Sequence, residues 1–281
     1  MSIALGSLIE QFEKRWPLAS AVAWDAPGLV TGSLTQSISR VLLTVDVTAA
    51  IVAEAIEGEF DLVLAHHPFL LRPVNNLTEH SAKGNVVSSL IKNNIALYSA
   101  HTNADASLSG TTATLAKAIG ISDLKGFDAQ GSIGTDLSAA LGQAQSMSLG
   151  EIAANLASVL PQTASSVRVA GSFDQIVNKV ALVAGAGDSF ADAAYQLGAE
   201  LFISSDLRHH VVLELLERAK AAGREFGVID ISHWAAEWLW LEVAASELAS
   251  ENSDLTFQVC DVRTDVWDFV VNPSGNQAGL A

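Results

Sequence analysis

The stretch Leu62-Val63-Leu64-Ala65-His66-His67-Pro68-Phe69 is an apolar run that breaks off at two adjacent histidines. Because the run is short and apolar, we predict a buried strand over Leu62–Ala65 that ends at the histidine pair. Imidazole is a poor core filler, since each ring brings a polar nitrogen that needs a partner. Successive side chains of an extended segment point to opposite sides, so His66 and His67 could serve two neighbouring ions, one histidine to each. The alternative is a pair of surface histidines that cap the end of a strand.

Outward from this strand, short β-branched runs alternate with longer amphipathic ones, which is typical of α/β proteins. Residues 126–150 are rich in Gly, Ser and Gln, which predicts an irregular connection or a boundary. We therefore predict two α/β domains with mixed sheets flanked by helices, residues 1–125 together with 229–281 and residues 126–228. The predicted strands are 40–46, 62–65, 95–100, 167–170, 180–183, 201–204, 226–229 and 257–262, and the predicted helices are 49–57, 83–94, 110–119, 188–197, 211–222 and 233–249.

Composition excludes several classes of protein. The 281 residues are 49% hydrophobic and have a mean hydropathy of +0.32, which excludes a disordered chain. The sequence has no uncharged apolar stretch long enough to predict a membrane span, and the N-terminus lacks the pattern of a secretory signal. The single cysteine, Cys260, excludes an internal disulfide and a thiolate zinc site. We therefore expect a soluble cytoplasmic protein.

The formal net charge of −16 disfavours nucleic acid as a partner. A polyanion would be repelled over most of such a surface, and the sequence has no basic run to offset the repulsion.

A second group of polar residues, His101-Thr102-Asn103-Ala104-Asp105, follows the predicted strand 95–100. A histidine and a carboxylate within one turn of each other can meet one ion. Alternatively, the carboxylate binds the ion and the histidine lies behind the metal ligands without binding the ion itself. The alternative is an ordinary turn rich in Asn and Asp.

A third group lies in Ser232-His233-Trp234-Ala235-Ala236-Glu237. Residues four apart on a helix share a face, so His233 and Glu237 converge on one point. Glutamate has two oxygens and can bridge two cations. The alternative is a solvent-facing pair near a helix N-terminus, but the tryptophans at 234, 238 and 240 favour partial burial.

Two weaker motifs lie near the ends of predicted strands. In Asp206-Leu207-Arg208-His209-His210 we predict that Asp206 is an N-cap. His209 and His210 then fall in the first helical turn, where substrate contact or orientation of another group is favoured over metal ligation. The turn at Gly185 and Gly187 could hold a phosphate on its backbone amides, although a tight turn explains the same glycines.

Together, the candidate metal ligands are His66, His67, Asp105, His233 and Glu237, with His101 nearby. Nitrogen and oxygen ligands without thiolate suit zinc, iron or manganese. Five ligands, one of them able to bridge, would leave open positions on two ions, as hydrolytic metal sites require. A structural zinc site more often closes with four ligands that include cysteine.

In this order, the motifs resemble the dinuclear-metal family of the yeast NGG-one interacting factor three, whose members are also known as GTP cyclohydrolase I type 2 homologues. The motifs that carry the resemblance span nearly the whole chain and are Ala23-Trp24-Asp25 with Gly28-Leu29, Leu42–Asp46 with Glu54-Ala55, His66-His67-Pro68, Ala100–Asp105, Val180–Gly187, Ser205–His210, and His233 with Glu237.

The resemblance implies a two-domain α/β subunit, a toroidal homohexamer and two divalent metal ions per subunit at the domain interface. The family's metal ligands correspond here to His66, His67, Asp105, His233 and Glu237, with Glu237 as the bridge. The ions are expected to be zinc or iron, with manganese as a third option. Some relatives carry an inserted domain in mid-chain, for which this chain is too short, so the compact form is expected.

The chain departs from the family's pattern around these motifs. The family usually has Gly, Tyr and Ser where this chain has Ser232, Trp234 and Ala236, Gly where Ser205 stands, and Asn where Ala26 stands. None of these differences removes a predicted ligand, but they alter the predicted wall of the substrate pocket.

The first functional hypothesis is a metal-dependent hydrolase of a small nucleotide-like or phosphorylated substrate, like GTP cyclohydrolase I type 2 by resemblance. His101, His209 and His210 are the candidates for proton transfer. The alternative is a non-enzymatic metal-binding assembly that acts as a scaffold or metallochaperone. A third hypothesis, a ring that acts on DNA, predicts salt-sensitive duplex binding.

Overall fold

The helices begin where the sequence offers caps. Thr48 and Ser81 each accept a hydrogen bond from the backbone at the start of a helix, and Ser148 and Glu151 form a reciprocal capping box. The computed structural model describes residues 2–271 and 277–279. Its helices are α1 Leu5–Arg15, α2 Ala49–Glu57, α3 Ala82–Lys92, α4 Thr102–Asp105, α5 Thr111–Ala118, α6 Leu149–Val159, α7 Ala191–Gln196, α8 His209–Ala221 and α9 His233–Glu251.

The strands lie between these helices, together with short 3₁₀ turns at Leu18–Ser20 and Asp188–Phe190. The strands are β1 Ile3–Ala4, β2 Gly28–Thr31, β3 Ser37–Ile38, β4 Arg40–Thr44, β5 Leu62–Ala65, β6 Ala96–Ser99, β7 Ser122–Phe127, β8 Ile133–Gly134, β9 Ala140–Ser148, β10 Arg168–Ala170, β11 Ile176–Ala186, β12 Leu201–Ser205, β13 Gly227–Ile231, β14 Thr256–Val259, β15 Phe269–Val271 and β16 Gln277–Gly279.

The first compact unit comprises Met1–Ser107 and Leu241–Thr264. Its main sheet has the order β14-β4-β5-β6-β2, in which β2 is antiparallel and the other pairs are parallel. The last residues of β4, β5 and β6 pair across the sheet, Thr44 with Ala65 and Ala65 with Ser99. The chain segments that follow these strands therefore leave the sheet at one edge, where ligand sites of parallel sheets lie.

Apolar side chains fix this sheet in place. Leu42, Val63 and Leu97 from neighbouring strands pack in one cluster with Ile51 of α2 and Leu90 of α3, all of them buried. Strands that are covered in this way read as continuous apolar runs, which is why Leu62–Ala65 is apolar at every position.

The second compact unit comprises Leu108–Trp240 and the chain from Asp265 onward. Its main sheet has the order β10-β13-β12-β11-β9-β7-β8, in which β11, β12 and β13 run parallel. Ser205 at the end of β12 pairs with Ala186 on one side and Ile231 on the other. The segments after these three strands therefore also leave their sheet at one edge.

The predicted α/β fold with mixed sheets flanked by helices is confirmed, and the predicted strands and helices match observed elements within a few residues at most ends. Gly120 follows α5 with φ of 78°, as a glycine after a helix C-terminus does. The predicted irregular segment 126–150 is wrong, because it contains the end of β7 and all of β8 and β9. Helices α1, α4 and α6 were not predicted.

The glycines of that segment explain the error. A Cβ at Gly126 would lie 1.7 Å from the carbonyl oxygen of Asp136, and one at Gly142 would lie 2.4 Å from Ile121. These glycines permit close approach inside a sheet rather than marking a loop.

The two compact units have other bounds than the predicted domains. Residues 108–125 belong to the second unit, and α9 contributes its first turns to that unit and Leu241–Glu251 to the first. Among the described residues, no helix has the length and apolar character needed to cross a bilayer.

Candidate metal centre

His66 is the buried member of the histidine pair that follows β5. Its backbone N–H donates to the carbonyl oxygen of Thr44 at 2.9 Å, so the position of the residue is fixed by the sheet. The ring nitrogen Nδ1 lies 2.9 Å from the carbonyl oxygen of Ala100. A carbonyl oxygen can only accept, so Nδ1 carries the hydrogen of this bond and Nε2 is the ring nitrogen on which a cation could bind. Asp105 places its Oδ1 3.7 Å from that Nε2.

His67 is oriented by a carboxylate. Its Nδ1 lies 2.8 Å from Oδ1 of Asp46, the residue that follows β4 by two positions. The other oxygen of Asp46 accepts a hydrogen bond from the Thr264 hydroxyl at 2.7 Å. A carboxylate oxygen accepts, so His67 also donates a hydrogen from Nδ1, and Nε2 is the ring nitrogen on which a cation could bind.

His101, which follows β6, repeats the arrangement with Asp25. The two side chains meet at 2.8 Å between Nδ1 and Oδ1, and the backbone N–H of Thr102 donates to Oδ2 at 3.1 Å. Burial acts to raise the pKa of Asp25, but hydrogen bonds from His101 and Thr102 outweigh it and lower that pKa to about 2. Asp25 is therefore ionised at neutral pH.

The three histidines form one cluster. A ring nitrogen from each of His66, His67 and His101 can be chosen so that all lie within 4.8 Å of one another. The chain bends directly after β5, so the rings of His66 and His67 lie beside each other, with centroids 5.1 Å apart, rather than on opposite faces. The edge of this sheet thus gathers imidazole nitrogens, with Asp105 beside them, in a spacing that suits a divalent cation.

The second unit carries its own pair of donors. His233 is the first residue of α9, and its Nε2 lies 2.9 Å from Oε1 of Glu237, one turn along the helix. Its Nδ1 lies 2.7 Å from Oδ2 of Asp206. Glu237 is only 4% exposed, which confirms the burial predicted from the surrounding tryptophans.

Charge holds a proton on His233 between its two carboxylate partners. Burial acts to lower the pKa of His233, but Glu237 and Asp206 raise it to about 11. A hydrogen bond from His233 lowers the pKa of Asp206 in turn. Two carboxylates beside one imidazole attract cations strongly, and a divalent ion can take the place of the proton.

Gly185 makes room for this pair. A Cβ at this position would lie 2.6 Å from Oε1 of Glu237 and 3.4 Å from Nε2 of His233. At Gly187 a Cβ would lie 2.2 Å from the Ser204 hydroxyl. Packing thus explains why glycine stands at both positions, and phosphate binding by this turn stays a prediction.

His209 and His210 open α8, as predicted, and both are exposed. Arg208 is the N-cap residue of α8, so the prediction that Asp206 caps this helix is wrong. Asp206 instead has a φ of 56° and turns its carboxylate towards His233. The proposed roles of His209 and His210 in proton transfer stay predictions.

Sequence reasoning missed the three carboxylates that orient the histidines. They are Asp25, Asp46 and Asp206. A signal was present for Asp46, since it is the last residue of the predicted strand 40–46. That strand lies parallel to the strand before His66, and both strand ends meet one edge of the sheet. Asp25 lies far from His101 in the sequence, and no local pattern joins them.

Comparison with known proteins gives the family from sequence, and a solved structure shares the fold. Residues 3–266 match the family described as Duf34/NIF3 (NGG1p interacting factor 3). The GTP cyclohydrolase 1 type 2 homolog of Streptomyces coelicolor is 36% identical over 272 residues, covering 94% of this chain and 93% of that protein. The protein of the same name from Clostridium perfringens is 32% identical, covering 95% and 99%. The crystal structure of a Bacillus cereus protein related to NIF3 has the same fold, with a TM-score of 0.82 at 20% identity, covering 96% of this chain and 99% of that one.

Proposed function

The chain belongs to the Duf34/NIF3 family, as the motifs predicted, and on this premise we propose that it binds two divalent metal ions and hydrolyses a small nucleotide-like or phosphorylated substrate. The ligands we propose are those predicted from sequence, His66, His67, Asp105, His233 and Glu237. Nitrogen and carboxylate donors suit zinc or iron(II), and manganese less closely.

The observation that carries the proposal is the orientation of four histidines. Each of His66, His67, His101 and His233 gives its Nδ1 hydrogen to an oxygen acceptor, Ala100 in the first case and an aspartate in the others. Metal-binding histidines characteristically donate this second ring hydrogen to a carbonyl or carboxylate, which fixes the tautomer and raises the basicity of the ligand atom. Packing alone gives no reason for four such pairs.

Charge supports a role for cations in substrate binding. The histidine cluster and the His233 pair are accompanied by carboxylates, and the chain has a formal net charge of −16. An anionic phosphate would be repelled by such a surface unless bound cations reverse the local sign. Divalent ions would also polarise a phosphoryl or carbonyl-like group. They would lower the pKa of a bound water molecule, so that hydroxide is available to attack this group near neutral pH.

His101 is the residue we propose for proton transfer. Its Nδ1 hydrogen is held by ionised Asp25, so Nε2 is the nitrogen that would accept a proton and return it later. The pairing with Asp25 would stabilise the imidazolium that forms, as a carboxylate does behind a catalytic histidine.

Metal content tests the first half of the proposal. We expect wild-type protein to hold two divalent ions per chain by elemental analysis, and His66→Ala and His233→Ala to hold fewer. His80→Ala is the matched control, because His80 is an exposed histidine outside both donor sets. Full occupancy in both variants would contradict the proposed ligands.

Turnover tests the second half. Metal-loaded protein is assayed against a panel of nucleotides and phosphoesters, with Glu237→Gln compared with Glu242→Gln, an exposed glutamate on the same helix. We expect hydrolysis by wild type and Glu242→Gln and loss of most activity in Glu237→Gln. Full metal content without turnover of any substrate would contradict the hydrolase and favour the scaffold or metallochaperone.

A further inference from the structure

We propose that Trp24 is the stacking surface for the planar base of the substrate, and hence that the substrate is a nucleotide rather than a simple phosphoester. This inference rests on the proposed function, because it assigns the second end of a ligand whose phosphate end would lie at the metal ions.

Trp24 lies beside the histidine cluster and faces solvent. Its ring centroid is 5.9 Å from that of His101 in an edge-to-face arrangement, and His101 in turn lies 5.2 Å from His66 and 5.4 Å from His67. Trp24 is nevertheless 64% exposed, whereas three other tryptophans, Trp16, Trp234 and Trp240, are buried. A large apolar ring is thus kept in water next to the proposed chemistry.

The backbone around Trp24 is fixed, so the exposed ring is not the tip of a loose loop. The carboxylate of the next residue, Asp25, bonds to His101 and to the backbone of Thr102. The backbone N–H of Val22 donates to the Thr102 hydroxyl at 3.1 Å, and the N–H of Asp25 donates to the Val22 carbonyl oxygen at 3.0 Å. Trp24 is therefore attached to the same short helix, α4, that carries Asp105.

A nucleobase fits this surface for two reasons. Every base has a π-face that can stack on an exposed aromatic ring, and such stacking tolerates different bases. The formal net charge of −16 disfavours a base-free polyanion, which gains nothing from an apolar ring, whereas a nucleotide combines a neutral planar end with an anionic end. The ligand class that matches an aromatic ring beside a cation site is therefore a nucleoside phosphate.

Binding measurements separate the two ends of the ligand. Dissociation constants of the four common nucleoside triphosphates and of inorganic tripolyphosphate are measured by calorimetry on the metal-loaded protein and on Trp24→Ala and Trp24→Phe. Trp267→Ala is the matched control, because Trp267 is 63% exposed but belongs to the other unit. Metal content is measured on each variant.

We expect Trp24→Ala to weaken nucleoside triphosphate binding about 5- to 150-fold, the fold-change that corresponds to loss of one stacked base. Tripolyphosphate affinity and metal content should stay at wild-type values, Trp24→Phe should keep most of the affinity, and Trp267→Ala should keep all of it. Quenching of tryptophan fluorescence by nucleotides should be reduced in Trp24→Ala.

Three results would overturn the inference. These are nucleotide affinity unchanged by Trp24→Ala, an equal loss of tripolyphosphate affinity in that variant, and wild-type protein that binds no nucleoside triphosphate more tightly than tripolyphosphate. Failure of the hydrolase proposal is a separate outcome. Base-dependent binding without turnover would contradict that proposal and leave Trp24 as the stacking surface of a nucleotide-binding protein.

Discussion

The ring orientation of individual histidines in this protein is fixed by an oxygen atom that accepts a hydrogen bond from Nδ1. His67, His101 and His233 each hold an aspartate on Nδ1, at distances of 2.7 to 2.8 Å. A histidine that donates in this way cannot flip to its other tautomer without losing a charge-assisted hydrogen bond. The aspartates therefore decide which nitrogen faces the proposed ions.

Asp46→Asn tests this role at a single residue. Asparagine keeps the size of the side chain but removes the charge, so it should hold the His67 tautomer less firmly. We expect affinity for zinc, measured by competition with a chromophoric chelator, to fall about 10- to 100-fold. Asp128→Asn is the control, because among the residues that the structure describes Asp128 bonds only within its own turn. Equal zinc affinity in wild type and Asp46→Asn would show that the Asp46 charge plays no part in binding.

Gly185→Ala tests the space beside Glu237. The substitution adds a Cβ 2.6 Å from the Glu237 carboxylate at a φ of 89°, so both strain and displacement are expected. The free energy of unfolding should fall by at least about 1–3 kcal/mol from backbone strain, and metal content should fall as well. Gly120→Ala, at a φ of 78° with nothing within 4 Å of its Cβ, should show only the stability loss. Urea unfolding and elemental analysis make the comparison, and retained metal in Gly185→Ala would contradict the displacement.

At the scale of elements, parallel strands explain why distant residues meet. Thr44, Ala65 and Ser99 end three neighbouring strands in register, so the residues after them emerge side by side. Asp46, His66 and His101 owe their proximity to this register, and a shift of one residue would turn these side chains to the other face of the sheet.

The capping box of helix α6 predicts a pH dependence of protein stability. Its capping box pairs the Ser148 backbone N–H with the Glu151 carboxylate, and this bond lowers the pKa of Glu151 below its ordinary value of 4.5. A carboxyl group whose pKa is lower in the folded chain stabilises the fold at any pH above its pKa in the unfolded chain. This stabilisation is lost as the pH falls through the pKa of the folded chain. The stability difference between wild type and Glu151→Ala should therefore be constant above about pH 5 and shrink below pH 4.5.

Urea unfolding at pH 6 and at pH 3.5 measures that difference. Glu242→Ala serves as a control for removing an exposed glutamate from a helix. A difference that grows as the pH falls would contradict the assigned role of the Glu151 carboxylate.

At the scale of the whole molecule, the homohexamer implied by the resemblance stays a prediction. The segment before and within β15 leaves Val266, Phe269 and Val271 more than half exposed, which is the kind of apolar surface that association covers. We expect sedimentation analysis to give about six times the 29.4 kDa of the chain, and Phe269→Asp with Val271→Asp to give smaller species. Val169→Asp, at a 44% exposed position, is the control. A monomer at micromolar concentration would contradict the prediction.

The amino-acid sequence alone was enough to predict the alternation of strands and helices, and it supplied the candidate metal ligands. Apolar runs such as Leu62–Ala65 predict strands because their spacing is a local property, and His233 and Glu237 predict a shared face because helix geometry is fixed. The motif order was likewise enough to predict the family, which the comparisons confirm.

The tertiary structure alone decided which partners hold these residues. Asp25 and His101 are separated by 76 positions, and Asp46 and Thr264 by 218, so no local pattern could pair them. The tertiary structure likewise places Gly126 and Gly142 within strands, which local sequence could not show, since a close approach depends on atoms from other segments. Covalent spacing fixes what is near along the chain, whereas the proximity of distant residues follows from the register of the sheets and the packing of the helices against them.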